Sequence, residues 1–202
     1  MNLVVLGATG RTGRLVVEHA LAAGHTVTAL VRSPEKLTTG HANLRVVKGE
    51  ATEASAVSSA LEGADAVIST LGGNGSVIAD STTAIVAAAR TTGVSRVVVL
   101  STFAAQRDHL SAGTRILTGL GMGAMLKDKS AGEEMLRRSD LEWTIVYASI
   151  LSDGPASGSV AVLPEGARRG LSQKISRADV AAWMVQIATG AQHSRSGVGI
   201  TG

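Results

Sequence analysis

Short apolar runs alternate with longer stretches of mixed polarity along most of the chain. Leu3–Leu6, Thr26–Val31, Leu44–Val47, Ala66–Thr70, Arg96–Leu100 and Trp143–Val146 are brief and rich in valine. Runs of this kind are expected to be strands buried on both faces, as in a parallel sheet. Between them, Arg14–Ala23, Glu53–Glu62, Ala79–Thr92 and Lys129–Ser139 have the spacing of helices. Gly24, Gly63 and Gly93 end the first three, where a left-handed C-terminal cap suits glycine. Strand–helix alternation implies right-handed crossovers and a doubly wound parallel α/β sheet with helices on both faces. The 202 residues suffice for a single domain, 1–202.

Two stretches break the rhythm. Residues 103–126 separate the fifth strand from its helix, with Gly113, Gly119, Gly121 and Gly123 among them. A structureless connection of that length is usually functional. Residues 148–176 are Gly/Pro/Ser-rich around a short apolar run, Val160–Leu163. A last helix, Arg177–Ala188, follows, with Asp179 in its first turn, where a carboxylate is favoured. Both stretches are expected to be substrate-side loops, the second forming a small C-terminal appendage.

Composition removes several function classes. The chain has no cysteine, so disulfide scaffolds, thiolate nucleophiles and Cys-based metal sites are excluded. Its only aromatic residues are Phe103, Trp143, Tyr147 and Trp183, too few for a base-stacking platform. The net charge is +3, and the arginines are scattered from Arg11 to Arg195 rather than gathered on one helix, which argues against nucleic acid as a partner. No apolar run approaches the ~18 residues of a membrane span, and the N-terminus enters its first apolar run without a basic segment or cleavage site. A soluble cytoplasmic protein is expected. No His/Asp/Glu spacing suggests a metal site, and the oligomeric state is left open, with a monomer acceptable.

The clearest motif is Gly7-Ala8-Thr9-Gly10-Arg11-Thr12-Gly13, between the first strand and the first helix. Glycines three apart fit a tight strand-to-helix turn: one turns the chain, one admits a pyrophosphate, one packs helix on sheet. The helix N-terminus then offers free N–H groups and the positive end of its dipole to the phosphates. Packing alone also produces glycine turns, but the position inside a strand–helix–strand unit favours a dinucleotide and a Rossmann-like fold. The second strand ends Leu30-Val31-Arg32-Ser33, with Lys36 close behind and Arg11 in the loop. Three cations with no competing carboxylate suit a ribose 2′-phosphate, so NADP(H) is the expected cofactor; the alternative is that Arg32 is only a solvated strand end.

Further segments sit in a familiar order: Pro34 after the second strand, Gly49-Glu50-Ala51, Ser69-Thr70-Leu71-Gly72, Leu100-Ser101-Thr102-Phe103, the run Leu136–Val146, Asp153-Gly154-Pro155 and Ile175–Ala181. With them the chain resembles atypical short-chain dehydrogenase/reductases of the NmrA-like and biliverdin-IXβ reductase/flavin reductase type, over nearly its whole length. The resemblance implies that Glu50 and Ala51 sit beside the adenine and that Thr70, Leu71 and Gly72 line the cofactor. It places Ser101 and Thr102 near the nicotinamide, with Thr102 where such reductases carry a substrate-facing serine; the alternative is that both hydroxyls merely cap the strand. Tyr147-Ala148 and Ile150 depart from the family pattern, which bears on tetrapyrrole specificity.

Many short-chain dehydrogenases use a Tyr-x-x-x-Lys pair. The single tyrosine, Tyr147, is followed four residues later by Leu151, and Met125 stands four before Lys129. Lys129 is either a contact to the nicotinamide ribose or part of a solvated helix start. Without the tyrosine, hydride transfer to a small planar acceptor (flavin, quinone or tetrapyrrole) is less demanding than carbonyl reduction, because such acceptors delocalise the incoming charge and water supplies the proton. Apolar Ile116–Leu126, with Met122 and Met125, would suit an acceptor wall, or a plainly packed helix. Phe103 is either an acceptor contact or core, and His109 is the one histidine in the expected substrate loop. An NADPH-dependent reductase is the leading reading. A non-catalytic NADP(H)-binding regulator acting through a protein partner is the alternative, and a nucleotide-sugar epimerase or dehydratase a weaker one.

Overall fold

The computed structural model describes residues 1–73, 75–106, 110, 112–164, 166–167 and 173–202, with the side chains of 112–121 outside the description. Its main sheet has eight strands in the order β3-β2-β1-β4-β5-β6-β10-β8. These are β1 (Asn2–Leu6), β2 (Thr26–Val31), β3 (Leu44–Lys48), β4 (Ala66–Ser69), β5 (Arg96–Thr102), β6 (Glu142–Ala148), β8 (Ala161–Val162) and β10 (Ser196–Thr201). All pairings are parallel except that of β8 with β10. A separate parallel pair joins β7 (Ile150–Ser152) to β9 (Lys174–Ser176). The order reverses between β1 and β4, the switch point where doubly wound sheets open a crevice at their strand ends.

Among the described residues five α-helices cover the sheet: α1 (Arg11–Ala22), α2 (Ala54–Leu61), α3 (Val77–Thr92), α4 (Ala112–Arg138) and α5 (Arg177–Thr189). Strand alternation divides the core into two layers. Leu3, Val5, Val98 and Val146 pack with Val16, Val17 and Ala20 of α1 and Val180 and Met184 of α5. Val4, Leu6, Val97, Ile145 and Tyr147 pack with Val57 of α2, Ile85 of α3 and Leu136 of α4. Gly24, Gly63 and Gly93 all take positive φ just past their helices, as expected.

Three expectations need correction. Residues 112–126 are not a loop but the first half of α4, a 27-residue helix. It spans ~40 Å at 1.5 Å per residue, against seven residues of β5. Glycine costs only ~1 kcal/mol per helical position, and a helix nucleated by packing at Leu126 and Leu136 propagates through such positions. Residues 148–176 are not wholly irregular, since β7, β8 and β9 lie within them. Finally, β3 is not buried: it sits at the sheet edge, and Val46 is 41% exposed. Among the described residues no helix is long and apolar enough to cross a membrane.

Candidate functional site

A cleft of about 470 Å³ opens where β1, β2 and β4 end, at the switch point. Its floor is the glycine turn. Gly7 takes φ +81°, and its carbonyl accepts a hydrogen bond from the Gly10 N–H at 2.9 Å. A side chain at Gly13 would place its Cβ 2.7 Å from the Gly7 carbonyl carbon and 2.8 Å from Thr70 Oγ1. Only glycine lets α1 pack this closely under the turn. The Thr70 hydroxyl donates to the Leu6 carbonyl at 3.2 Å, so β4 clamps the turn from the side. The N-terminus of α1 has no side-chain cap and no acidic residue in its first turn. Its unpaired N–H groups and dipole are therefore available to an anion, and the site fits a dinucleotide pyrophosphate.

Of the residues expected to hold the cofactor, Gly7, Thr9, Gly10, Arg32, Glu50, Ala51, Thr70, Leu71 and Gly72 line this cleft. Thr12 and Gly13 are buried in the first turn of α1 and shape it from below. Ser33 and Lys36 lie just beyond, around the short turn Pro34–Lys36, whose last carbonyl accepts from Arg14 Nη2 at 2.8 Å. Arg11 does not join Arg32. It pairs with Asp153 after β7, which also accepts from Arg177 Nη1 at 2.7 Å. The expected absence of a carboxylate is also corrected: Glu50 Oε2 lies 3.9 Å from Arg32 Nε. Because β2 and β3 are adjacent and parallel, the residues that follow each strand meet at the same rim.

At the end of β5, alternation sends Ser101 and Thr102 to opposite faces. Thr102 is half-buried, and its Oγ1 accepts from the Ala104 N–H at 3.4 Å. Ser101 is buried and donates to Glu133 Oε1 at 2.6 Å. Glu133 was not legible as a site residue, yet it organises this region. Its Oε2 accepts from the Tyr147 hydroxyl at 2.6 Å and from Arg137 Nη2 at 3.1 Å, and the same Arg137 nitrogen donates to Tyr147 at 2.6 Å. Burial, followed by the charge of Glu133, pushes the Tyr147 phenol well above its ordinary value.

Lys129 is buried rather than a solvated helix start, and it donates to the Leu100 carbonyl at 3.1 Å. Burial holds its pKa below the usual lysine value, opposed by Glu133 and Asp128. Asp128 in turn accepts from the N–H groups of Ile78 and Ala79, both at 2.9 Å, capping α3 from α4. Leu71 lines both the dinucleotide cleft and a water-sized cavity of about 20 Å³ beside Ser101, Lys129 and Glu133. The sequence carried one clue to this network: Lys129, Glu133 and Arg137 recur every fourth residue, one stripe of a helix.

Phe103 is a core residue, packed with the α2–α4 layer. Met122 is exposed and Met125 half-buried. His109 and the side chains of Ile116, Leu117 and Leu120 lie outside the described residues. Among the described residues no three His, Cys, Asp or Glu side chains gather as a metal site.

Residues 7–190 match the protein family described as NAD(P)H-binding. The chain is 31% identical over 181 residues to an uncharacterised chloroplastic protein of Arabidopsis thaliana, an alignment covering 81% of this chain and spanning only 64% of that protein's length. It shares its fold with a short-chain dehydrogenase/reductase of Veillonella parvula solved in complex with NADP (TM-score 0.84, 19% identity, 98% of this chain and 93% of that one). It also shares it with an anaerobilin reductase of Escherichia coli O157:H7 (TM-score 0.83, 23% identity, 99% and 96%).

Proposed function

We propose, from the premise that this chain belongs to the NAD(P)H-binding family, that it is an NADPH-dependent reductase of a planar conjugated acceptor such as a flavin, a quinone or a tetrapyrrole. The bound dinucleotide would supply the hydride. Gly7, Thr9, Gly10 and the first N–H groups of α1 would hold the pyrophosphate, over the turn that Thr12 and Gly13 support. Arg32, with Ser33 and Lys36 behind it, would take the 2′-phosphate, while Glu50 and Ala51 border the adenine. Arg11, paired with Asp153, would keep its other N–H groups for a phosphate. Thr70, Leu71 and Gly72 would flank the other half of the cofactor. Lys129 spends one N–H on the Leu100 carbonyl and keeps two for ribose hydroxyls.

The observation that carries the acceptor class is the commitment of Tyr147. Its hydroxyl is buried between Glu133 and Arg137, and Met125 occupies the place four residues before Lys129. Carbonyl reduction would lack its usual phenolic proton donor. A conjugated acceptor spreads the incoming charge and takes its proton from water, so the chain has mainly to hold two planar groups together. Thr102 would orient the acceptor. Ser101 gives its proton to Glu133, so toward any ligand it acts only as a hydrogen-bond acceptor. The same fold in an anaerobilin reductase supports this acceptor class.

The committed tyrosine also favours a second reading, a non-catalytic NADP(H)-binding regulator acting through a protein partner. NADPH oxidation followed in turn with FMN, riboflavin, a naphthoquinone and biliverdin separates the two. Turnover with one of them is the expected result; tight NADP⁺ binding with no turnover on any would overturn the reductase reading.

A further inference from the structure

A second groove, of about 500 Å³, runs between the last turns of α4 and strand β10, and it shares no lining residue with the dinucleotide cleft. Its floor is nearly bare. Gly197 and Gly199 are the β10 positions that turn toward the α2–α4 layer, whereas Val198 and Ile200 turn toward α5. A Cβ at Gly197 would stand 2.9 Å from Tyr147 Cε2, so that ring lies directly against the strand.

Among the described residues two guanidinium groups line this floor. Arg137 is 40% exposed in its side chain and is held by Glu133 and Tyr147. Among the described residues Arg195 donates only to the Ser139 carbonyl, at 3.0 Å, which leaves four of its five N–H donors. Arg195 is presented by a turn in an unusual backbone state: His193 and Arg195 have φ of +57° and +52°. Non-glycine residues hold such angles only where surrounding contacts impose them. Here the His193 carbonyl accepts from Thr144 Oγ1 at 2.7 Å and Ser196 Oγ at 2.9 Å.

The strand edge adds a donor of its own. Among the described residues β8 pairs with β10 only at Ile200 and Thr201, and the Gly199 carbonyl accepts from the Leu163 N–H at 2.8 Å. Gly197, two residues earlier, points its N–H and carbonyl the same way, where no described strand lies. Among the described residues the carboxylates near the groove are already engaged: Glu133 by Ser101, Tyr147 and Arg137, and Glu134 by Arg138 Nε at 2.9 Å as well as by Arg137 Nη1 at 3.9 Å. Val162 and Leu163 supply an apolar side, with Val162 47% exposed.

We infer that this groove is a second binding site, for a small molecule bearing a carboxylate or phosphate on an apolar body. The anionic group lies between Arg195 and Arg137, the Gly197 N–H adds a backbone donor, and Val162 and Leu163 cover the apolar part. This site is separate from the dinucleotide cleft, although its Arg137 and Tyr147 also belong to the network around Glu133.

The test uses the whole ¹⁵N-labelled chain with saturating NADP⁺, so that the glycine turn cannot take up the probe. Inorganic phosphate and benzoate are titrated separately while the Arg195 and Arg137 Nε–H signals and the Gly197 amide are followed. Saturable shifts at these signals are expected, with benzoate binding at least as tightly as phosphate because of its apolar ring. Arg195→Ala should weaken benzoate at least fivefold and Arg195→Glu should abolish its binding, both with NADP⁺ affinity unchanged. Linear, non-saturating shifts, shifts confined to the dinucleotide cleft, or unchanged benzoate binding in Arg195→Glu would overturn the inference.

Discussion

Replacing Arg32 by alanine tests the adenosine end of the cleft most directly. Arg32 is 75% exposed in its side chain, and its Nε lies 3.9 Å from Glu50 Oε2. A guanidinium–phosphate contact is a charge-assisted hydrogen bond, ~1.5–3 kcal/mol when one partner is removed. Solvent exposure and the neighbouring carboxylate both place Arg32 at the lower end, ~1.5 kcal/mol, which is about tenfold in affinity. Arg32→Ala should therefore weaken NADPH about tenfold and leave NADH within about twofold. Glu50 would act in the opposite sense, since its carboxylate would repel a 2′-phosphate held by Arg32. Glu50→Gln should tighten NADPH by ~0.5 kcal/mol, the scale of an exposed charge pair. Titrations that follow nicotinamide fluorescence, at two salt concentrations, measure all of this; the NADPH effect should shrink at high salt while NADH stays flat. Equal losses of NADPH and NADH in Arg32→Ala, or a wild-type chain that holds NADH as tightly as NADPH, would refute the reasoning.

Other substitutions probe the rest of the site and its support. Thr102→Val should lower turnover while leaving NADPH affinity and thermal stability intact, and unchanged turnover would remove Thr102 from the chemistry. Glu133→Ala strands the hydroxyls of Ser101 and Tyr147 and part of Arg137, so a loss of ~2–3 kcal/mol in urea unfolding is expected; a change under ~0.5 kcal/mol would show that the network holds nothing in place. Asp179 accepts from Ser176, Ser157 and Gly158, and although burial works against its charge, these bonds keep its carboxyl below the ordinary aspartate value. That stabilisation is present above about pH 4, the unfolded aspartate value, and is lost as pH falls through the lower folded value. The gap in unfolding free energy between wild type and Asp179→Asn should therefore be constant near neutrality and close below pH 4, and a gap independent of pH would contradict this account.

What the sequence revealed follows how far apart the cooperating residues lie along it. The glycine turn, the ends of β2 and β4 and the caps at Gly24, Gly63 and Gly93 are short contiguous signals, and each appears where it was expected. Strand β10 was not legible, because Ser196–Thr201 alternates glycine with apolar residues and so lacks the valine run that marks the inner strands. Helix α4 was half hidden for the related reason that its glycines weaken a local signal which packing then overrides. The largest gap concerns Tyr147. From the sequence it was the tyrosine that failed to form a Tyr-x-x-x-Lys pair; in the fold it has a place of its own. Register sets Tyr147 opposite Ser101 across β5 and β6, and α4 lowers Glu133 between them. Three different elements thus build one buried carboxylate with three donors, and no spacing rule along a single segment contains that arrangement. In the proposed reading the same carboxylate would keep the tyrosine from donating a proton, since releasing its hydroxyl would leave the buried Glu133 short of a partner. The chemistry open to this site is narrowed by packing against the strand end, and the acceptor class proposed for it follows from that constraint.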